Sequence, residues 1–114
     1  MSDIGGNQYL QLQMLDETSQ NAIGEDMQEW KTVHSLWGFL DMSGGDSKYG
    51  NYNAKIQEST HIFLADYEPL PEGLTAENSR AIDEDGLIYD VTLMDDPMKM
   101  HEQWEIYLRF TGGQ

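Results

Sequence analysis

No cysteine occurs among the 114 residues, so neither a disulfide framework nor a thiolate metal site can be built. Basic side chains are scarce as well: six Lys and Arg stand against 21 Asp and Glu, a formal net charge of −15. Duplex binding draws largely on cations that displace counterions from phosphates, so this balance argues against direct nucleic-acid binding. The same surplus keeps separate copies apart and strains any compact state through self-repulsion. No apolar run approaches the about 18 residues of a membrane-crossing helix. The opening MSDIGGNQYL lacks the basic start and apolar stretch of an export signal. These absences point to a protein made in the cytoplasm, with no membrane partner.

The length suits one domain, residues 1–114, with 1–8 read as a flexible or edge-docked tail and 111–114 as a flexible one. Apolar residues make up 39% of the chain, with three Trp, six Tyr and three Phe. That is enough for a small core and lean beside an average globular chain, so the fold should be thin or completed by neighbours.

Short alternating segments dominate. Leu10, Leu12 and Met14 alternate with Gln11 and Gln13, the period of a strand with one buried face. Glu17 to Asp26 has the composition of a connecting loop. MQEWKTVHSLWGFL fits two patterns: Trp30, Val33, Trp37 and Leu40 form a helical stripe, while Val33, Trp37 and Phe39 share strand parity. Its aromatics and the interior Gly38 tilt it toward strand. THIFLADY, Thr60 to Tyr67, is a strand ended by Pro69, Pro71 and Gly73. Asp85-Gly86 marks a two-residue hairpin between Ala81-Ile82 and Ile88 to Leu93. Asp95-Asp96-Pro97 is a further turn, MKMHEQ a helical turn or loop, and WEIYLRF a closing strand with Trp104, Ile106, Leu108 and Phe110 on one face. Six strand candidates and no clear helix predict an all-β fold, a small antiparallel β-barrel with a long central loop. Its expected core is Trp30, Trp37, Ile62, Leu64, Ile88, Trp104, Ile106 and Leu108.

Signatures of chemistry are sparse. His34, His61 and His101 fall in different elements, without the spacing that sets two imidazoles on one metal. Asp83, Glu84 and Asp85 precede Gly86 too closely for a calcium loop. Ser43 and Ser47 lack a nucleophile-elbow setting, and GGDSKYG lacks the ending of a phosphate-cradling loop. With so many carboxylates, a pair at catalytic distance would arise by chance. No catalytic, cofactor-binding or metal residue is assigned, and the chain is expected not to be an enzyme. The stretch SGGDSKYGNYN is long for a structureless connection and carries tyrosines, which suits either a disordered surface loop or one that orders against a neighbouring subunit or partner.

Taken in order, the alternating first strand, the acidic loop, WKTVHSLWGFLDMSGGD, the variable loop, ESTHIFLADY, SRAIDEDGLIYDVTLMDD and WEIYLRF resemble the head–tail joining proteins of long-tailed bacteriophages, from about Tyr9 to Phe110. Trp30, Val33, Trp37, Leu40, Asp41, Ser43 and Gly44 stand where that family has a Trp, a hydrophobic run, an acid and Ser-Gly. Thr60-His61 matches its strand start, and Asp85, Gly86, Ile88, Tyr89 and Val91 its turn and following strand. Asp66 departs from the basic residue that members often carry there. The resemblance implies that Trp30 to Leu40 is strand, and that the barrel is a head-completion or stopper subunit. Such a subunit forms a homo-oligomeric ring beneath the portal and adaptor, closes the DNA channel and docks a tail or tail-terminator protein. DNA would meet it only in passage, in a virion neck assembled in the host cytoplasm. The family's central loop projects into the channel, which here implies a plug role for Gly44, Gly45, Asp46, Lys48, Tyr49, Asn51, Tyr52 and Lys55. An acidic DNA-mimic decoy occupying a host DNA-binding protein is the alternative reading of the charge, although a mimic should array its carboxylates regularly along one face.

Overall fold

The computed structural model describes residues 5–20, 23–24, 26–42 and 59–113. The plug-loop residues Gly44, Gly45, Asp46, Lys48, Tyr49, Asn51, Tyr52 and Lys55 lie outside the described residues, as do Ser43 and Ser47.

Among the described residues six strands form: β1 (Gln8–Gln20), β2 (Asp26–Met42), β3 (His61–Asp66), β4 (Ser79–Ile82), β5 (Leu87–Asp95) and β6 (Gln103–Gly113). They close as a barrel in the order β1-β2-β3-β6-β5-β4, every neighbour antiparallel. The seam is short, Gln11–Met14 of β1 against Ile82–Ser79 of β4. Closure satisfies backbone donors and acceptors that an open sheet would leave at its edges. The expected antiparallel barrel is therefore the fold, and the ambiguous Trp30 to Leu40 is strand.

One residue of each alternating pair points inward. Leu10, Leu12, Leu36, Phe63, Ala65, Ala81, Tyr89, Val91, Ile106 and Leu108 form the core, and each large apolar side chain so enclosed contributes roughly 2 kcal/mol through removal from water. Gly38 sits inward on β2 beside Gly-sized space only. A Cβ there would collide with the Leu64 carbonyl and stand 2.9 Å from the Phe63 ring, so a bare backbone is what lets β3 approach.

Several expected core positions are corrected. Ile106 and Leu108 are enclosed, but Trp37 is exposed and Ile62, Leu64 and Ile88 are only partly buried, because Phe63, Ala65 and Tyr89 take the inward places. Trp30 is partly buried beneath the Arg80 guanidinium, 4.7 Å from its ring centroid. Trp104 packs against the core's margin and donates to the Glu68 carbonyl at 2.8 Å. On β2 the phase changes at Val33: Leu12 faces His34 and Gln13 faces Thr32, so Val33 is an extra residue, a bulge.

Residues near both ends are tied to the barrel. Asn7 N donates to the Gly38 carbonyl at 2.8 Å, and Leu40 N donates to Asn7 Oδ1 at 3.2 Å. At the other end, β6 runs through to Gly113. The hairpin at Asp85-Gly86 is where expected but has three loop residues, not two. Asp83 N donates to the Leu87 carbonyl and Gly86 N to the Asp83 carbonyl, with Gly86 at φ +85°. A type I turn followed by a left-handed glycine gives that loop. MKMHEQ begins in a 3-10 turn, Pro97–Lys99.

Candidate functional site

The outer wall of β1, β2 and β3 carries the surface that the core does not account for. Tyr9 faces Trp37 across the β1–β2 ladder, and their rings meet edge to face with centroids 5.0 Å apart. Phe39 follows on the same face of β2 and stands opposite Leu64, while Ile62 on β3 stands opposite Tyr107 on β6. Exposure is 53% at Tyr9, 47% at Trp37, 41% at Phe39 and 73% at Met42, where the strand ends. Large apolar side chains gathered on one wall mark a contact surface more often than scattered ones do. The sequence carried a signal for this belt: in Trp37-Gly38-Phe39 the tightly fitted glycine must face inward, which sends both aromatics outward.

A second outer row is polar. Thr32, Gln13, Arg80, Asp90 and Arg109 lie side by side across β2, β1, β4, β5 and β6. Arg80 Nε donates to Gln13 Oε1 and Arg109 Nη2 to Asp90 Oδ2, each at 2.8 Å. At the foot of the hairpin, Lys31 Nζ lies 2.9 Å from Asp16 Oδ2. That hydrogen bond, and then the attraction between the two charges, holds the Lys31 ammonium above its ordinary pKa.

Among the described residues the three histidines do not converge on one cleft. His34 Nε2 meets Glu68 Oε2 at 2.6 Å, His61 Nδ1 meets Thr60 Oγ1 at 2.8 Å, and His101 Nδ1 meets Asp96 Oδ2 at 2.9 Å. These three places belong to different parts of the barrel. Among the described residues no group of three His, Asp or Glu side chains is placed to hold a metal ion. Buried Asp83 is committed to the hairpin, where it accepts from the amides of Asp85 and Leu87 and from the Tyr89 hydroxyl. Thr60 Oγ1, which accepts from Phe110 N at 2.8 Å, is likewise tied into the wall.

Open clefts occur among the described residues. One, of about 370 Å³, lies between Trp30, Ser79, Thr92 and Arg109. The other, of about 520 Å³, lies under the segment from Tyr67 to Glu77, against Leu93, Met94 and Trp104. Neither lining includes a histidine. Among the described residues no helix is long and apolar enough to cross a membrane.

No family model matches the chain, and no curated protein matches it. Among solved structures it is similar to the solution structure of protein SF1141 from Shigella flexneri 2a, with a TM-score of 0.70 and 19% identity over 96% of each chain. A likeness at that identity shows a shared fold and leaves function to be argued from the surface.

Proposed function

We propose that this chain is a structural subunit of a phage or prophage head–tail connector. As a head-completion or stopper protein it assembles in a ring beneath the portal and adaptor, closes the DNA channel and presents a docking surface to the tail. The reading joins the sequence resemblance to one observation, the exposed belt of Tyr9, Trp37 and Phe39 on the wall of a closed barrel. Copies carrying a net charge of −15 repel one another, so lateral association needs apolar contact area, and the belt supplies it. A ring of such subunits presents carboxylates to passing DNA, which slides past because phosphates are repelled rather than gripped.

Repulsion also predicts a monomer in dilute solution that joins a ring only on a preformed connector. The test is deletion of the gene from its phage genome, followed by imaging of the particles. Tailless heads that lose their DNA, rescued by the wild-type chain in trans, are expected. Tailless heads that retain their genome would sink the closure role.

A further inference from the structure

Two uncharged places stand out on a chain of net charge −15. One is the belt on β1 and β2, where Tyr9, Trp37 and Phe39 are exposed. The other is the cleft of about 520 Å³ against β5 and β6, walled by Tyr67, Leu70, Leu74, Leu93, Met94 and Trp104, with Glu77 the one charged residue of its lining. Around the closed wall β5 lies three places from β2 in either direction, and β6 three places from β1. Belt and cleft therefore sit on roughly opposite sides of the barrel. The belt protrudes and the cleft recedes. A volume within the range of about 300–1,000 Å³ typical of ligand pockets admits a large aromatic side chain.

Charge narrows the occupant. A basic partner is held best where carboxylates gather, whereas an uncharged surface on a strongly acidic chain suits a partner of the same sign, since approach there meets the least repulsion. Another copy of the chain is such a partner, and it carries the matching protrusion. Symmetry then narrows the arrangement. Belt against belt pairs two copies about a two-fold axis and stops at a dimer. Belt into cleft leaves an unused patch of each kind at the two ends of a row, so the row grows until it closes as a ring.

We propose that copies join head to tail, the belt of Tyr9, Trp37 and Phe39 on one seated in the cleft between Leu70, Leu74 and Trp104 of the next. Aromatic side chains in an apolar pocket supply the attachment, as anchors at protein interfaces commonly do. The inference rests on the connector reading for where the ring forms, and adds which two faces of the barrel meet.

The chain has no cysteine, so introduced thiols report the contact without background. Ser35, exposed two residues before Trp37 on β2, and Thr75, exposed in the cleft lining, take them as S35C and T75C. Concentrated full chain in about 1 M sodium sulfate, which screens the charges and strengthens apolar contact, is treated with a short bis-maleimide. S35C mixed with T75C should give cross-linked dimer in about tenfold excess over either variant alone. A chain carrying both should give a ladder through trimer and beyond. Adding W37A, in a chain shown by its melting curve to be folded, should cut the mixed dimer about tenfold or more. The proposal is overturned by no mixed cross-link, by S35C alone linking as well as the mixture, which means belt against belt, or by a yield that W37A leaves unchanged. The doubly substituted chain in phage heads separates this contact from the connector reading. Chain built into heads without a ladder sinks the head-to-tail contact and leaves the connector reading standing. A ladder in solution with no chain in the heads supports the contact and sinks the connector reading.

Discussion

Tyr89 donates its hydroxyl to Asp83 Oδ2 across 2.8 Å in the barrel interior. The other oxygen of the same carboxylate accepts from the amides of Asp85, at 2.9 Å, and Leu87, at 3.0 Å. One buried acid therefore ties the β4–β5 turn to the core. Asp83→Ala strands two amides and a phenol, and should cost about 3 kcal/mol in urea unfolding. Asp83→Asn keeps one acceptor oxygen and should cost less than half of that. Equal losses would mean the carboxylate is not the organiser of the turn.

Burial first, and then the hydrogen bond to Asp83, raises the Tyr89 pKa above its ordinary 10.0. The neutral phenol is favoured in the folded chain, so its contribution is complete below pH 10 and is lost as pH climbs toward the folded value. Stability should fall with rising pH above about 10. Tyr89→Phe, which lacks the titrating proton, should be less stable than the parent at neutral pH by about 1 kcal/mol yet show a shallower alkaline decline. Melting temperatures measured through that range check both signs, and parallel curves would remove Tyr89 from the account.

At Gly38 even one methyl group meets the Leu64 carbonyl and the Phe63 ring. Gly38→Ala must push β3 away from β2, a cost of about 3 kcal/mol or more. Denaturant unfolding measures it; a loss under about 1 kcal/mol would show that the two strands separate easily.

Trp37 and Phe39 offer the opposite case. Both keep a little under half of their surface exposed, so W37A with F39A should cost about 2 kcal/mol, less than truncating two enclosed core side chains, and leave the chain folded. The same pair should fail to rescue heads made without this protein. Normal rescue by a folded double variant would leave the aromatic belt without the assembly role assigned to it.

Much of the strand inventory was legible because backbone pleating writes a period of two into side-chain polarity. Leu10 and Leu12 point inward as their alternation indicates, and Ile106 and Leu108 do the same in the closing strand. Asp85-Gly86 announced a turn because glycine alone takes φ near +85° without strain. The candidate wall was less legible. Trp37 looked like core material by size, and nothing local revealed the extra residue at Val33 that changes the phase of β2.

By itself, then, the sequence determined an all-β chain without disulfides, the turn at Asp85-Gly86 and an acidity that sets copies against one another, whereas the loop expected over Glu17 to Asp26 is strand as far as Gln20 and again from Asp26. It left open which face of each strand looked inward. In THIFLADY, Ile62 and Leu64 on one face are as apolar as Phe63 and Ala65 on the other, and a one-residue slip exchanges the two sets. Only the tertiary register chose between them: Phe63 faces Ile106 across the β3–β6 ladder and fits against Gly38, leaving the opposite face to form the outer wall.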